Sequence, residues 1–171
     1  MRTIEGSRRA TGFRFALVVS KYNDFVTDRL QAGALAALAA SGVGSDDITV
    51  IRVPGAFEIP LAAQHAAESG RFDAIVCLGC LIRGETSHYE LIAGECAAGI
   101  QRVQLELTLP VVFGVLTTEN LAQALARAGG ASGNKGAEAA ATAIEMANVL
   151  RVLEQTRPGL SADVRPRPKT R

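Results

Sequence analysis

The sequence predicts an α/β domain: a three-layer sandwich with a four-stranded parallel sheet flanked by helices on both faces. Two observations carry this. Short β-branched apolar runs alternate with longer stretches of helical periodicity, in the order β-α-β-α-β-α-β-α-α. The strand runs are also continuously apolar instead of alternating, as expected of strands covered on both faces. No repeat at solenoid spacing is present.

The elements follow in order. Residues 1–12 are polar and glycine-punctuated, an arm or an edge strand. Phe13 to Ser20 is the first strand. Asn23 or Asp24 can cap the helix that follows, where Phe25, Val26, Leu30, Ala34 and Leu38 recur at helical spacing up to Gly42. Asp47 to Val53 is the second strand, closed by the turn signal Pro54-Gly55. Phe57 to Ser69 is a helix that tolerates Pro60 in its first turn. Asp73 to Gly79 is the third strand, and Ser87 to Leu107 the longest of the first four helices. Pro110 to Leu116 is the fourth strand, with a helix from Glu119 to Ala128 behind it. Gly129 to Gly133 reads as a loop. Asn134 or Ser132 then caps a last helix to about Gln155. The domain thus spans 13–156. The stretch 157–171 holds three prolines and five cations against one carboxylate and reads as a disordered basic tail.

Composition narrows the function classes. At 171 residues, 48% hydrophobic and 20% charged, the chain is one globular domain. Its net charge of +1 comprises +4 in the tail and −3 in the body, so no global field draws in nucleic acid. A basic tail can bind nucleic acid; a solvated end is the plainer reading. No signal-peptide pattern is expected at the start, and no apolar run reaches the roughly 20 residues of a membrane span. A cytoplasmic protein is expected, and its three cysteines imply no disulfide framework.

The most informative stretch is Gly79 to Glu90, where an apolar run meets a glycine-bracketed turn and a long helix. Ser87 and Glu90 stand as a capping-box pair, so the helix should begin at Ser87, with His88 next. Free backbone N–H groups from Gly84 to His88, backed by the helix dipole, make an anion site beside a proton-transfer residue. An ordinary turn with an exposed histidine is the alternative. In parallel α/β folds ligands sit at the carboxyl ends of strands. Two other loops leave that edge: Lys21-Tyr22-Asn23, with an aromatic face, and Pro54-Gly55-Ala56-Phe57-Glu58, with backbone groups and a carboxylate. Together they suit a planar heterocycle plus a phosphate. Singly, Tyr22 could be a surface aromatic and Glu58 a complement to a helix dipole.

Other motifs carry less. Cys77-x-x-Cys80 lies on a strand, where residues three apart face opposite ways, so a redox dithiol is rejected. Neither histidine has metal-ligand spacing, and His65 reads as structural. Gly129 to Gly136 lacks the Gly-Lys-Ser/Thr of a P-loop, and no G-x-G-x-x-G follows the first strand. Arg127 ends a helix running back from the carboxyl edge, roughly 15 Å away at 1.5 Å per residue. It can join His88 only from a neighbouring subunit; otherwise it merely favours a helix C-terminus.

Taken together, Tyr22-Asn23-Asp24, Val53 to Pro60, Leu78-Gly79, Ile82 to Thr86, His88, Phe113 to Thr117, Arg127-Ala128-Gly129 and Gly133 to Gly136 resemble the lumazine synthases, in register from about Thr11 to Gln155. The resemblance implies a flavodoxin-like fold and the penultimate step of riboflavin synthesis. There, 5-amino-6-(D-ribitylamino)uracil condenses with 3,4-dihydroxy-2-butanone 4-phosphate to 6,7-dimethyl-8-ribityllumazine, phosphate and water. It implies no metal and no organic cofactor. By similarity Tyr22, where the family usually has Phe or Trp, stacks on the pyrimidine, with Asn23 beside it. Ala56, Phe57 and Glu58 hold the ribityl chain. Cys80, Leu81 and Ile82 address the uracil through backbone groups. Gly84, Glu85 and Thr86 cradle the phosphate, and His88 moves protons. Glu85 is expected to point its side chain outward. Phe113, Arg127 and Lys135 resemble residues supplied by an adjacent subunit. The family's partners follow: a homopentamer, often twelve in an icosahedral shell, with riboflavin synthase as a further partner. The Gly129–Lys135 loop lacks the insertion of pentamer-only relatives, which favours the shell. A non-catalytic flavin-binding shell protein is the alternative, against which the presence of His88, Arg127 and Lys135 counts. A phosphorylatable flavodoxin-like regulator would want an Asp where the strands end in Ser20 and Gly79.

Overall fold

The computed structural model describes residues 1–156; the expected basic tail, 157–171, lies outside the described residues. Four parallel strands form the sheet: β1 (Phe15–Ser20), β2 (Ile48–Val53), β3 (Ala74–Ile82) and β4 (Val111–Thr118), in the spatial order β2-β1-β3-β4. The chain steps outward from β1 to β2, then returns across β1 to lay down β3 and β4. The switch point therefore falls between β1 and β3, where the loops after these two strands diverge and leave a crevice.

Helices cover both faces, as expected of the continuously apolar strands. Alternate residues Phe15, Leu17, Val19, Val76, Leu78 and Cys80 join α1 (Asp24–Ala40) and α5 (Lys135–Gln155) in one core. Their neighbours Ala16, Val18, Ile75 and Cys77 meet α2 (Ile59–Glu68) and α3 (His88–Leu107) in the other. Cys77 and Cys80 thus lie on opposite sides of the sheet, and Cys77, Cys80 and Cys96 are all free and buried. The α1–α5 contact is close because small residues face each other. A methyl on Gly136 would overlap the Leu30 carbonyl, and one on Gly33 would overlap the Asn134 side chain.

Several expected boundaries shift. β3 runs three residues beyond Gly79, placing Cys80, Leu81 and Ile82 in the strand and not in the turn. Gly79 is mid-strand for packing: an added Cβ would lie 3.1 Å from Ile59 Cδ1 and 3.2 Å from Val115 Cγ1. β4 likewise continues to Thr118, and α4 is shorter than expected, Leu121–Arg127, with Asn120 accepting from Gln123 N at 2.9 Å. Ala56–Glu58 forms a 3₁₀ turn ahead of α2. The stretch expected as a loop pairs as a small hairpin, β5 (Ala128–Gly130) with β6 (Gly133–Asn134). Asn134 is the cap of α5, accepting from Gly136 N and Ala137 N. β2 is an outer strand whose Thr49, Val50 and Arg52 are exposed, so burial on both faces does not extend to it.

Residues 1–12 contain no strand, yet they are fastened down. Ala10 is buried and donates to Ser41 O at 3.0 Å. Asn148 Nδ2 donates to the carbonyls of Ser7 and Arg9, each at 3.0 Å.

Candidate active site

The loops after β1, β2 and β3 enclose a cleft of about 720 Å³ at the switch point. From the first loop come Tyr22 and Asn23; from the second Gly55, Ala56, Phe57 and Glu58. The third side is the end of β3, Cys80 to Ile82, followed by Gly84, Thr86 and His88. Tyr22 and Phe57 are 69% and 56% exposed, so two aromatic rings stand unburied at the rim. Such rings can stack on a planar ligand, gaining apolar contact without covalent chemistry.

The end of β3 overhangs its neighbour. It pairs with β4 as far as Ile82↔Thr118, but with β1 only as far as Val19↔Leu78. Residues 79–82 therefore have no strand beside them on the cleft side. Backbone groups alternate in direction along a strand. Leu81 turns its carbonyl to β4, where it accepts from Thr118 Oγ1 at 3.5 Å. Cys80 turns its carbonyl toward the cleft, where Asn23 Nδ2 donates to it at 2.9 Å. Alternation points the backbone groups of Ile82 to that side too. Asn23 holds a left-handed conformation, φ 59° and ψ 47°. It does not cap α1 with its side chain as expected; the amide spans the switch point instead.

The thiols take no chemical part. Burial pushes Cys80 and Cys96 up to about 11 and raises Cys77 further, with Cys96 adding to the latter. At neutral pH all three stay protonated and poorly nucleophilic.

At the start of α3 the capping box does not form. Ser87 is the N-cap residue, but its side chain makes no cap bond, and Glu90 turns away to Arg83. The His88 N–H approaches Thr86 Oγ1 at 3.4 Å, and the His88 side chain is exposed at the cleft wall. The start of α3 borders the cavity at Gly84, Thr86 and His88, and a helix N-terminus leaves backbone N–H groups free for an anion.

Four of the residues singled out from the sequence do not line this cleft. Glu85 is exposed in the third loop. Phe113 is 42% exposed on the outer strand β4. Arg127 ends α4 and donates from Nη1 to Gln123 O at 3.1 Å. Lys135 Nζ pairs with Glu138 at 2.6 Å at the start of α5. Sequence reasoning missed Tyr89 and Ile92 as lining residues. Their signal was available: Ile92 lies four residues after His88, on the same helical face. His65, expected to be structural, is exposed and lies 3.9 Å from Glu68.

Residues 12–151 match the family model for 6,7-dimethyl-8-ribityllumazine synthase. The chain belongs to that family. The matched span covers the sheet, all three loops of the cleft and most of α5. Lumazine synthases are transferases of riboflavin biosynthesis, and the parallel sheet with helices on both faces is their flavodoxin-like fold. The lumazine synthase reaction joins an aromatic amine to a phosphorylated ketone.

Proposed function

We propose that this cleft is where 5-amino-6-(D-ribitylamino)uracil condenses with 3,4-dihydroxy-2-butanone 4-phosphate. The observation that carries the reading is the overhang of β3 opposite two exposed rings, with the α3 N-terminus and His88 on the same cavity. Tyr22 stacks on the pyrimidine, and the cleft-side main chain of Cys80 and Ile82 meets the ring edge, whereas the Leu81 backbone, expected there too, turns to β4. Asn23 fixes the Cys80 carbonyl and offers its own carbonyl oxygen. Ala56, Phe57 and Glu58 border the ribityl chain, whose hydroxyls match the Glu58 carboxylate. Gly84, Glu85 and Thr86 offer backbone N–H groups, and Thr86 a hydroxyl, to the phosphate.

The chemistry then needs few groups. The amine attacks the ketone and a first water leaves; phosphate is then eliminated, leaving an enol that tautomerises to a ketone; the ribitylamino nitrogen attacks that ketone, and a second water leaves as the ring closes. Each step relocates a proton, and His88 beside the phosphate loop can accept and return one. Holding both reactants in one cavity supplies much of the acceleration. The phosphate departs onto a helix N-terminus, where the dipole favours negative charge.

Completion by a neighbouring subunit follows from what the cleft lacks. Phe113, Arg127 and Lys135 lie outside it, and a phosphate clamp without a cation is weak. A pentamer lets one subunit supply these residues to the next, and twelve such rings form the shell. Riboflavin synthase, which consumes the product, is the natural further partner. No helix among the described residues is long and apolar enough to cross a membrane, which supports a cytoplasmic location.

The test mixes the two substrates and follows lumazine fluorescence. The wild-type chain forms product, whereas a ligand-holding shell protein forms none. His88→Ala lowers kcat by about a hundredfold, the lower end for an acid–base group, with both KM values little changed. Unchanged turnover would remove His88 from the mechanism.

A further inference from the structure

The side chain that the cleft does not contain but is shaped by is Arg83. It follows directly on β3, and its backbone N–H donates to Thr118 O at 2.8 Å, so its root is fixed by the sheet. Its guanidinium reaches three ways. Nη1 pairs with the Glu90 carboxylate, Nε with Glu119 Oε2 at 2.8 Å, and the plane lies 4.4 Å from the Tyr89 ring centre. These partners come from the first turn of α3, from the segment just past β4, and from the residue beside His88. Residues 83 and 90 are therefore tied together across the phosphate loop, Gly84 to Ser87. Neither Arg83 nor Glu90 lines the cleft.

The sequence has another place for Glu90. Three residues after Ser87, it stands where a capping-box carboxylate reaches back to the Ser87 N–H. In that position it would lay a negative charge across the donors that the loop presents. A phosphate carrying a charge of about −1.5 to −2 at neutral pH would have to displace it. Arg83 takes Glu90 instead, and neutralises Glu119 beside it. The hydrogen bond from Arg83, and after it one from the Glu90 backbone N–H, hold the Glu90 carboxyl below the usual carboxylate range, so the pair stays ionised at neutral pH. The contacts are solvent-exposed and individually weak. What they decide is which of two positions Glu90 occupies.

We propose that Arg83 is a positioning residue for the phosphate half of the reaction: by keeping the Glu90 carboxylate at its own first-turn N–H and away from Ser87, it leaves the donors of the Gly84–Ser87 loop to the phosphate. This rests on the reading of the Gly84–His88 loop as the phosphate site. Arg83 does not touch the substrate. A lysine cannot replace it, since one ammonium cannot grip two carboxylates and stack on a ring together.

The experiment compares the wild-type chain with Arg83→Ala, Glu90→Ala, the double variant and Arg83→Lys, each as the native assembly. It reads the KM for each substrate separately and the inhibition constant of inorganic phosphate. Arg83→Ala raises the butanone phosphate KM and the phosphate inhibition constant about tenfold, a shift of ~1.4 kcal/mol. The ribitylaminouracil KM stays within about twofold, well under that ~1.4 kcal/mol step. Glu90→Ala alone resembles wild type, and the double variant recovers most of the loss, because the carboxylate that blocks the site is gone. Arg83→Lys shows a smaller rise with the same selectivity and carries the comparison if Arg83→Ala does not fold. Unchanged phosphate inhibition in Arg83→Ala and Arg83→Lys would overturn the proposal. So would a double variant as impaired as Arg83→Ala, since a purely structural brace is not rescued by losing its partner. If inorganic phosphate does not compete with the butanone phosphate even in the wild type, the phosphate-site reading itself falls.

Discussion

Asn23 ties two edges of the cleft together by a single contact. Its left-handed backbone lets the chain turn from β1 into α1, and its amide ties that turn to Cys80 O. Asn tolerates this conformation better than most residues, whereas alanine incurs about 1–2 kcal/mol there. The hydrogen bond contributes about 1 kcal/mol more. Asn23→Ala is thus expected to lose ~2 kcal/mol and to melt roughly 4–8 °C lower in a thermal scan. Asn23→Gly loses the bond without the strain and falls in between. A melt in which glycine is the worse substitution would show that the strain is not felt. Asparagine was read from the sequence as a possible helix cap or a substrate contact. Its bond to a strand 57 residues away was not legible, because nothing local marks it.

Among the elements, the legible and illegible parts separate by the range of the interaction that fixes them. The apolar runs gave β1, β3 and β4, because burial on two faces needs no more information than the run itself; β2 was legible from its β-branched residues although half of its side chains are exposed. The ends of β3 and β4 were not legible. Gly79 looked like a strand terminator, but its missing Cβ makes room for Ile59 and Val115. The capping box at Ser87 was misread for a similar reason, since Arg83 competes for Glu90 and only the folded loop brings them together. The cleft's three loops were legible from chemistry at the strand ends, whereas Tyr89 and Ile92 required the helix phase. The α1–α5 contact carries the prediction at this scale. At Gly136 a methyl would collide with backbone, the Leu30 carbonyl, which cannot rotate away. Gly136→Ala is expected to cost about 3 kcal/mol, the upper end for overpacking, and so to lower the melting temperature by roughly 6–12 °C. A variant that melts like wild type would mean that α1 and α5 slide apart freely.

For the whole molecule, the proposed phosphate site raises the question of which cation completes it. Arg127 stands at the end of a seven-residue helix, roughly 10 Å along its axis from the edge that bears the cleft. Its own cleft has no route to it, so a neighbour's cleft is the proposed destination. Native mass spectrometry of the purified chain is expected to show pentamers or multiples of them, with no stable monomer that retains turnover. An active monomer would sink the shared-site reading at once.

The overhang of β3 has one more consequence. Where a ligand is met by main-chain groups, the side chains at those positions answer to other demands, and that of Cys80 answers to the core it fills. What cannot change is the count of residues between the last rung shared with β1 and the turn at Gly84. Loss of one residue there would reverse which groups face the crevice and which face β4. This edge therefore acts as a ruler on chain length, in which spacing decides what the crevice meets and packing decides the side chains behind it.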